Sequence, residues 1–326
     1  RELKISVAPI TTYANGCAVV SLGDTVIMAN ASMSEKGKEG ADFFPMTVDY
    51  EENFYAAGKI KGSRFIKREG RPSDEAILIG RIIDRPIRPL FPKGYRQQVQ
   101  VVSSVLSMDP NFRPDMVAMI AASTALSLTG TPFDGPIAGL RVTQIDGEFK
   151  AFATPEELKT NDLDLVVAGK EQAITMVEAG ANEVSEETIV EALAWAHKAM
   201  QPAIEAQKEL IEKVAPEELK YELILPNEEI QKVVDGWVKG KFGTNLHSPY
   251  PERNELINNL RNSFHDDMQA EHGEEYPDLH REYDEAFTSA LHEDVRKHIV
   301  DSQTRPDGRK LDEIREVDVA VGILPR

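Results

Sequence analysis

The densest run of chemistry-bearing side chains lies between Lys59 and Arg96, where eleven basic residues stand against four acids in a chain whose formal net charge is −18. Within it, residues 62–73 carry Phe65, Lys67, Arg68 and Arg71, and Gly70 and Pro72 keep the stretch from being a helix. An aromatic ring among fixed cations is what single-stranded RNA needs: stacking for bases and charge for phosphates. A solvated basic loop would have the same composition. Just downstream, Arg81 and Arg85 are four apart on one helical face and Arg88 follows the Pro86 break. The three guanidinium groups are expected to converge, each offering paired donors suited to phosphate. An ion-pair cluster with Asp84 is the competing reading.

Other constellations are weaker. Asp162 and Asp164, separated by one residue, would point the same way on a strand, as divalent-metal chemistry requires, but a strand edge with solvent-facing acids looks identical. His265, Asp266, Asp267, His272 and His280 resemble a ligand set superficially. Their spacing does not place a close histidine pair on one helical face, and the acids are those a solvated helix carries. Cys17, the single cysteine, reads as a packed thiol in a strand. The sequence has no phosphate-cradling glycine loop, serine elbow or dinucleotide fingerprint.

The elements that must position these groups follow from pattern. Of the 326 residues, 41% are hydrophobic, enough for one large or two ordinary domains. There is no apolar run of membrane-spanning length and no basic-then-apolar leader, so a soluble cytoplasmic protein without disulfides is expected. A sequence pI of about 4.9 argues against general adhesion to nucleic acid and focuses anion binding on the basic patch. Residues 4–10, 16–22, 25–31, 101–108, 137–145, 149–154, 163–169 and 173–178 read as strands. Ser73 caps a helix that Pro86 should end, 115–128 is apolar on nearly every face and must be buried, and Ser185 opens a long helix with Val184 and Ile189 as its staple. Strands with buried helices describe an α+β domain over 1–214. Residues 215–302 form an acidic all-helical domain, whose last helix carries Leu279, Tyr283, Phe287, Leu291, Val295 and Ile299 at spacings of four. Residues 303–326 begin a third unit, with a turn at 305–309 and a strand over 317–324.

Several phrases together resemble the polynucleotide phosphorylase family: Phe43 to Glu52 (FFPMTVDYEE), Phe54 to Ile60 (FYAAGKI), Arg68 to Ser73 (REGRPS) and Ile83 to Phe91 (IDRPIRPLF). Residues 133–139 and 176–181 are similar too. The resemblance covers essentially the whole chain. It implies an RNase PH-like core of the ribosomal protein S5 domain 2-like kind, a helical linker domain, and the start of a second core. It further implies a homotrimer threading single-stranded RNA through a channel. Inorganic phosphate would attack the terminal phosphodiester with Mg2+ assisting, and an endoribonuclease or helicase would join in RNA degradation. Carried over residue by residue, the channel loop falls on Phe65, Lys67 and Arg68, and RNA-binding arginines on Arg71, Arg81, Arg85 and Arg88. The catalytic acid-acid-lysine site does not carry over: Val166 stands where the lysine would be, so Asp162 and Asp164 are expected to be remnants and this chain alone inactive. The alternative is a non-catalytic RNA-binding ring subunit of the same fold.

Overall fold

The computed structural model describes residues 2–7, 11–37, 43–60, 70–159, 161–225, 227–242 and 251–323. The chain divides into two units, Arg1–Ile224 and Leu225–Arg326.

The first unit opens with the expected antiparallel strands, β1 (Leu3–Val7), β2 (Gly16–Leu22) and β3 (Thr25–Gly37), the last two joined by a turn in which Gly23 takes φ +59°. A strand that pattern reading did not assign follows, β4 (Met46–Glu51), then helix α1 (Asp74–Ile87) and β5 (Gln97–Ser107). The sheet order is β1-β2-β3-β5-β4, with β4 parallel to β5 on the outside. Helix α2 (Asp115–Ser127) is buried along nearly its whole length, as its uniformly apolar faces demand. It packs on β2, β3 and β5 of this sheet and on β6 (Ala138–Ile145) of a second. That second sheet also contains β7 (Glu148–Ala151), and β8 (Leu163–Lys170) and β9 (Ala173–Ala181) follow the short helix α3 (Pro155–Lys159); its order is β7-β6-β8-β9.

Close approach of α2 to the first sheet depends on Gly16. A Cβ there would lie 2.1 Å from the Ala125 carbonyl oxygen and 2.9 Å from Thr129 Cγ2. Gly16→Ala is therefore expected to cost about 1–3 kcal/mol by overpacking, read as a lower denaturation midpoint with an unchanged slope in urea.

Helix α1 begins as its sequence dictates. Ser73 Oγ accepts from Ala76 N at 3.0 Å, and Asp74 and Glu75 sit at the positive end of the dipole. Its end differs from expectation: the helix runs through Pro86 to Ile87 and tightens into a 3₁₀ turn over Arg88–Leu90. Pro86 falls in the last turn, where a missing N–H costs one ladder bond, and burial of Pro86 and Ile87 offsets it. The helix packs on β4 and leaves Ile77, Leu78, Arg81 and Arg85 on its exposed side.

Helix α4 (Glu186–Val214) is capped by Ser185, with Val184 and Ile189 both against the core. Its fully buried Gln207 donates to the Ile137 carbonyl at 2.9 Å and accepts from Thr124 Oγ1 at 3.1 Å, which locks α4 to α2. The helix ends at Val214, but the first unit does not. Leu219 N donates to the Gly130 carbonyl and Ile224 N to that of Gly94, so the chain stays on this unit to Ile224.

The second unit holds α5 (Glu228–Val238), α6 (Glu252–His272) and α7 (Tyr276–Ser302) around a core that includes Val234, Phe264, Met268, Tyr283 and Phe287. Of the expected stripe on α7, Tyr283, Phe287 and Leu291 are buried, joined by Tyr276, Ala286 and Ala290. Leu279, Val295 and Ile299 are only partly buried, because a spacing of four drifts around a helix of 3.6 residues per turn. The turn at 305–309 forms, Arg305 N donating to the Arg309 carbonyl at 2.8 Å. The expected strand over 317–324 does not form in its described residues 317–323, where Val317, Val319 and Val321 are exposed: alternation makes a strand only where a partner completes the ladder. Among the described residues, no helix is long and apolar enough to cross a membrane.

Candidate nucleic-acid interface

Phe65, Lys67 and Arg68 lie outside the described residues. The four arginines that follow are all placed on or beside α1. Arg71 is exposed just ahead of the Ser73 cap, and Arg81 is exposed on the helix; neither has a partner among the described residues. Arg85, one turn further, pairs with Glu178 on β9 at 2.9 Å, with both side chains about half exposed. Such a solvated pair is worth about 0–1 kcal/mol and yields readily to a phosphate.

Arg88 is differently placed. Its Nε and Nη2 donate to the two carboxylate oxygens of Asp84 at 3.0 and 2.7 Å, Nη1 to the Phe44 carbonyl at 3.2 Å and Nη2 to that of Met46 at 3.0 Å. The guanidinium also lies 5.8 Å from the Phe44 ring centroid. Arg88 thus binds the segment entering β4 to the end of α1, and the ion-pair arrangement with Asp84 describes it. The three guanidinium groups do not converge as free donors. Arg81 and Arg88 instead line a small cavity of about 250 Å³ with Asp49, Tyr50 and Asp84.

The two aspartates of the pair have different partners. Asp162 precedes β8 and accepts from Asn182 Nδ2 at 3.0 Å. Asp164 accepts from Arg141 Nη1 with both oxygens at 2.6 Å. Arg141, on β6 and 9% exposed, turns its Nε and Nη2 to Asp115 Oδ2 at 3.1 and 2.7 Å, and Asp115 is itself 1% exposed. Burial opposes the charged guanidinium, but the two carboxylates outweigh it and hold its pKa above the ordinary value. Asp115 and Asp164 therefore do not fit a divalent cation, since the Arg141 guanidinium occupies the space between them. Val166, buried in β8, adds no polar group. Pattern reading missed Arg141, although a lone arginine inside the apolar run Leu140-Arg141-Val142 signals a buried charge in need of partners.

In the helical unit His265, His272 and His280 are engaged with neighbours. His265 hydrogen-bonds with the Tyr276 hydroxyl, meets Asp284 Oδ1 at 3.0 Å and stacks on His280 at 4.2 Å between centroids, while His272 Nε2 meets the Tyr283 hydroxyl at 2.8 Å. Burial raises the Asp284 pKa, but hydrogen bonds from His265 and Arg261 outweigh it and hold the carboxyl below its ordinary range. Asp267 accepts from Trp237 Nε1 at 2.8 Å. Cys17 is a buried free thiol.

This architecture has relatives. Residues 1–132 match the 3′ exoribonuclease family, domain 1, and residues 135–199 match domain 2 of the same family. The chain belongs to the 3′ exoribonuclease family. It is 42% identical over 328 residues to the polyribonucleotide nucleotidyltransferase of Staphylococcus carnosus (strain TM300), covering 100% of this chain and 46% of that protein. It is 44% identical over 331 residues to the enzyme of that name from Staphylococcus aureus (strain MRSA252), covering 100% and 47%. The chain thus spans about half the length of these relatives. Among solved structures, a chain of the Archaeoglobus fulgidus exosome with RNA bound to the active site is similar at a TM-score of 0.48 and 19% identity, over 65% of this chain and 88% of that one. The first unit has the mixed α+β content of the family's RNase PH-like core, and the helical unit follows it.

Proposed function

We propose that the intact protein is a phosphate-dependent 3′-to-5′ exoribonuclease and that this chain grips its RNA. Inorganic phosphate attacks the terminal phosphodiester, the bond to the preceding 3′ oxygen breaks, and a nucleoside diphosphate leaves; the reverse reaction polymerises. Similarity over the whole of this chain to about half the length of polyribonucleotide nucleotidyltransferases supports the chemistry. The observation that carries the gripping role is the exposed cationic side of α1, with Arg71 and Arg81 unpartnered among the described residues on a chain of net charge −18. A local positive surface on a negative body concentrates phosphate at one place.

Single-stranded RNA then meets Phe65, Lys67 and Arg68 of the channel loop together with Arg71, Arg81 and Arg85, while Arg88 shapes the site from below. The assembly is a cytoplasmic homotrimer that works with an endoribonuclease or helicase in RNA degradation. Mg2+ supplies charge neutralisation at the reacting phosphoryl group, in the half of the relatives' length that this chain does not span. Within the chain, Asp164 answers to Arg141 and Val166 is apolar, which supports its being inactive alone. The same two residues favour the rival of a non-catalytic RNA-binding ring subunit. An assay for nucleoside diphosphate release separates the readings. The intact protein should release diphosphates from polyadenylate only when phosphate and magnesium are present, and the 326-residue chain should release none. An intact protein that binds RNA without releasing diphosphates would establish the rival.

A further inference from the structure

A groove of the first unit holds about 750 Å³, within the range of small-ligand sites, and lies beside the proposed channel loop in sequence: Lys59 lines it just before residues 61–69, and Gly70 and Arg71 just after them. Phe54 on its wall is 43% exposed. Glu51 and Glu52 also line it, each with one carboxylate oxygen held by a serine: Ser104 Oγ donates to Glu51 Oε2 at 2.9 Å and Ser73 Oγ to Glu52 Oε2 at 2.8 Å. Their other oxygens have no partner among the described residues. Tyr50, 3% exposed, lies between this groove and the cavity beside Arg81, and its hydroxyl has no hydrogen-bond partner among the described residues. Burial, with Glu52 next, pushes that phenol far above its ordinary pKa, so it stays a neutral donor.

We propose that this groove is a base pocket that takes one nucleobase out of the RNA strand. The ring lies against Phe54, Lys59 and Arg71 meet the flanking phosphates, and the acceptor oxygens of Glu51 and Glu52 receive N–H donors from the base edge. Adenine, cytosine and guanine each present an exocyclic amino group to such carboxylates, whereas uracil has no amino group and offers a single ring N–H flanked by two carbonyls that the carboxylates repel. The Tyr50 hydroxyl supplies the complementary donor to a ring nitrogen or carbonyl. This pocket rests on the reading of RNA as ligand given above and adds to it a base preference that phosphate contacts cannot supply.

The test uses labelled oligoadenylate and oligouridylate in anisotropy titrations with the intact protein. Phe54→Ala should weaken oligoadenylate binding about tenfold, the loss of one stacked base. Glu51→Gln with Glu52→Gln should narrow the preference for adenylate over uridylate, while Arg81→Ala weakens both oligomers equally. Circular dichroism melts matching wild type exclude unfolding of the variants. If Arg81→Ala weakens binding while Phe54→Ala and the glutamine variant leave both affinity and preference unchanged, the pocket is overturned and the RNA reading stands. If none of the three variants alters binding, the RNA reading itself falls.

Discussion

Arg141→Met is expected to destabilise the first unit by about 3–5 kcal/mol, because it strips the shared partner from a buried carboxylate. Asp115 is 1% exposed and has Arg141 as its closest cation, with Arg113 Nε at 3.8 Å as a weaker second. A domain of this size loses about 2–4 °C in Tm for each kcal/mol, so the melt should fall by roughly 6–20 °C. The cause can be separated from lost side-chain volume, which methionine largely preserves. Adding Asp115→Asn and Asp164→Asn to Arg141→Met should recover most of the loss, since an uncharged cluster carries no bare carboxylate. If Arg141→Met alone melts like the wild type, the guanidinium is not what holds α2, β6 and β8 in register.

The second large effect is on RNA binding. Neutralising Lys67, Arg68, Arg71 and Arg81 together removes four proposed phosphate contacts. On a single strand each contact changes the salt slope by about 0.7, which near 0.1 M salt is roughly a fivefold contribution to affinity per contact. The quadruple alanine variant should therefore bind several hundredfold more weakly, while its melt stays close to wild type. Its two described members, Arg71 and Arg81, are exposed and without partners among the described residues, so no folding energy is lost with them. Arg85 and Arg88 are left out of that variant because their side chains also serve Glu178 and Asp84.

Much of this was legible in the residues. Helix starts at Ser73 and Ser185 are readable because a capping side chain and first-turn acids act locally, and both cap bonds form. The all-apolar α2 announced its own burial. What failed was non-local. Residues 46–51 alternate buried and exposed, yet β4 exists because β5, far along the chain, offers a parallel edge. At the site, sequence spacing put Arg81, Arg85 and Arg88 within reach of one another, but the partners that divide them come from elsewhere: Glu178 from β9, and the carbonyls of Phe44 and Met46 from the approach to β4. The aspartate pair failed likewise, since β8 starts after Asp162 and the claim of Arg141 on Asp164 crosses from a neighbouring strand. Charge type and local capping could be read directly; the choice of partner needed the sheet.

The affinity of the intact protein for a labelled single-stranded RNA, measured across a series of salt concentrations, tests most directly whether polynucleotide meets the protein at this cationic surface. With Lys67, Arg68, Arg71 and Arg81 replaced by alanine, the slope of log affinity against log salt should become shallower by roughly 3. A slope and affinity indistinguishable from wild type would place the RNA elsewhere on the molecule.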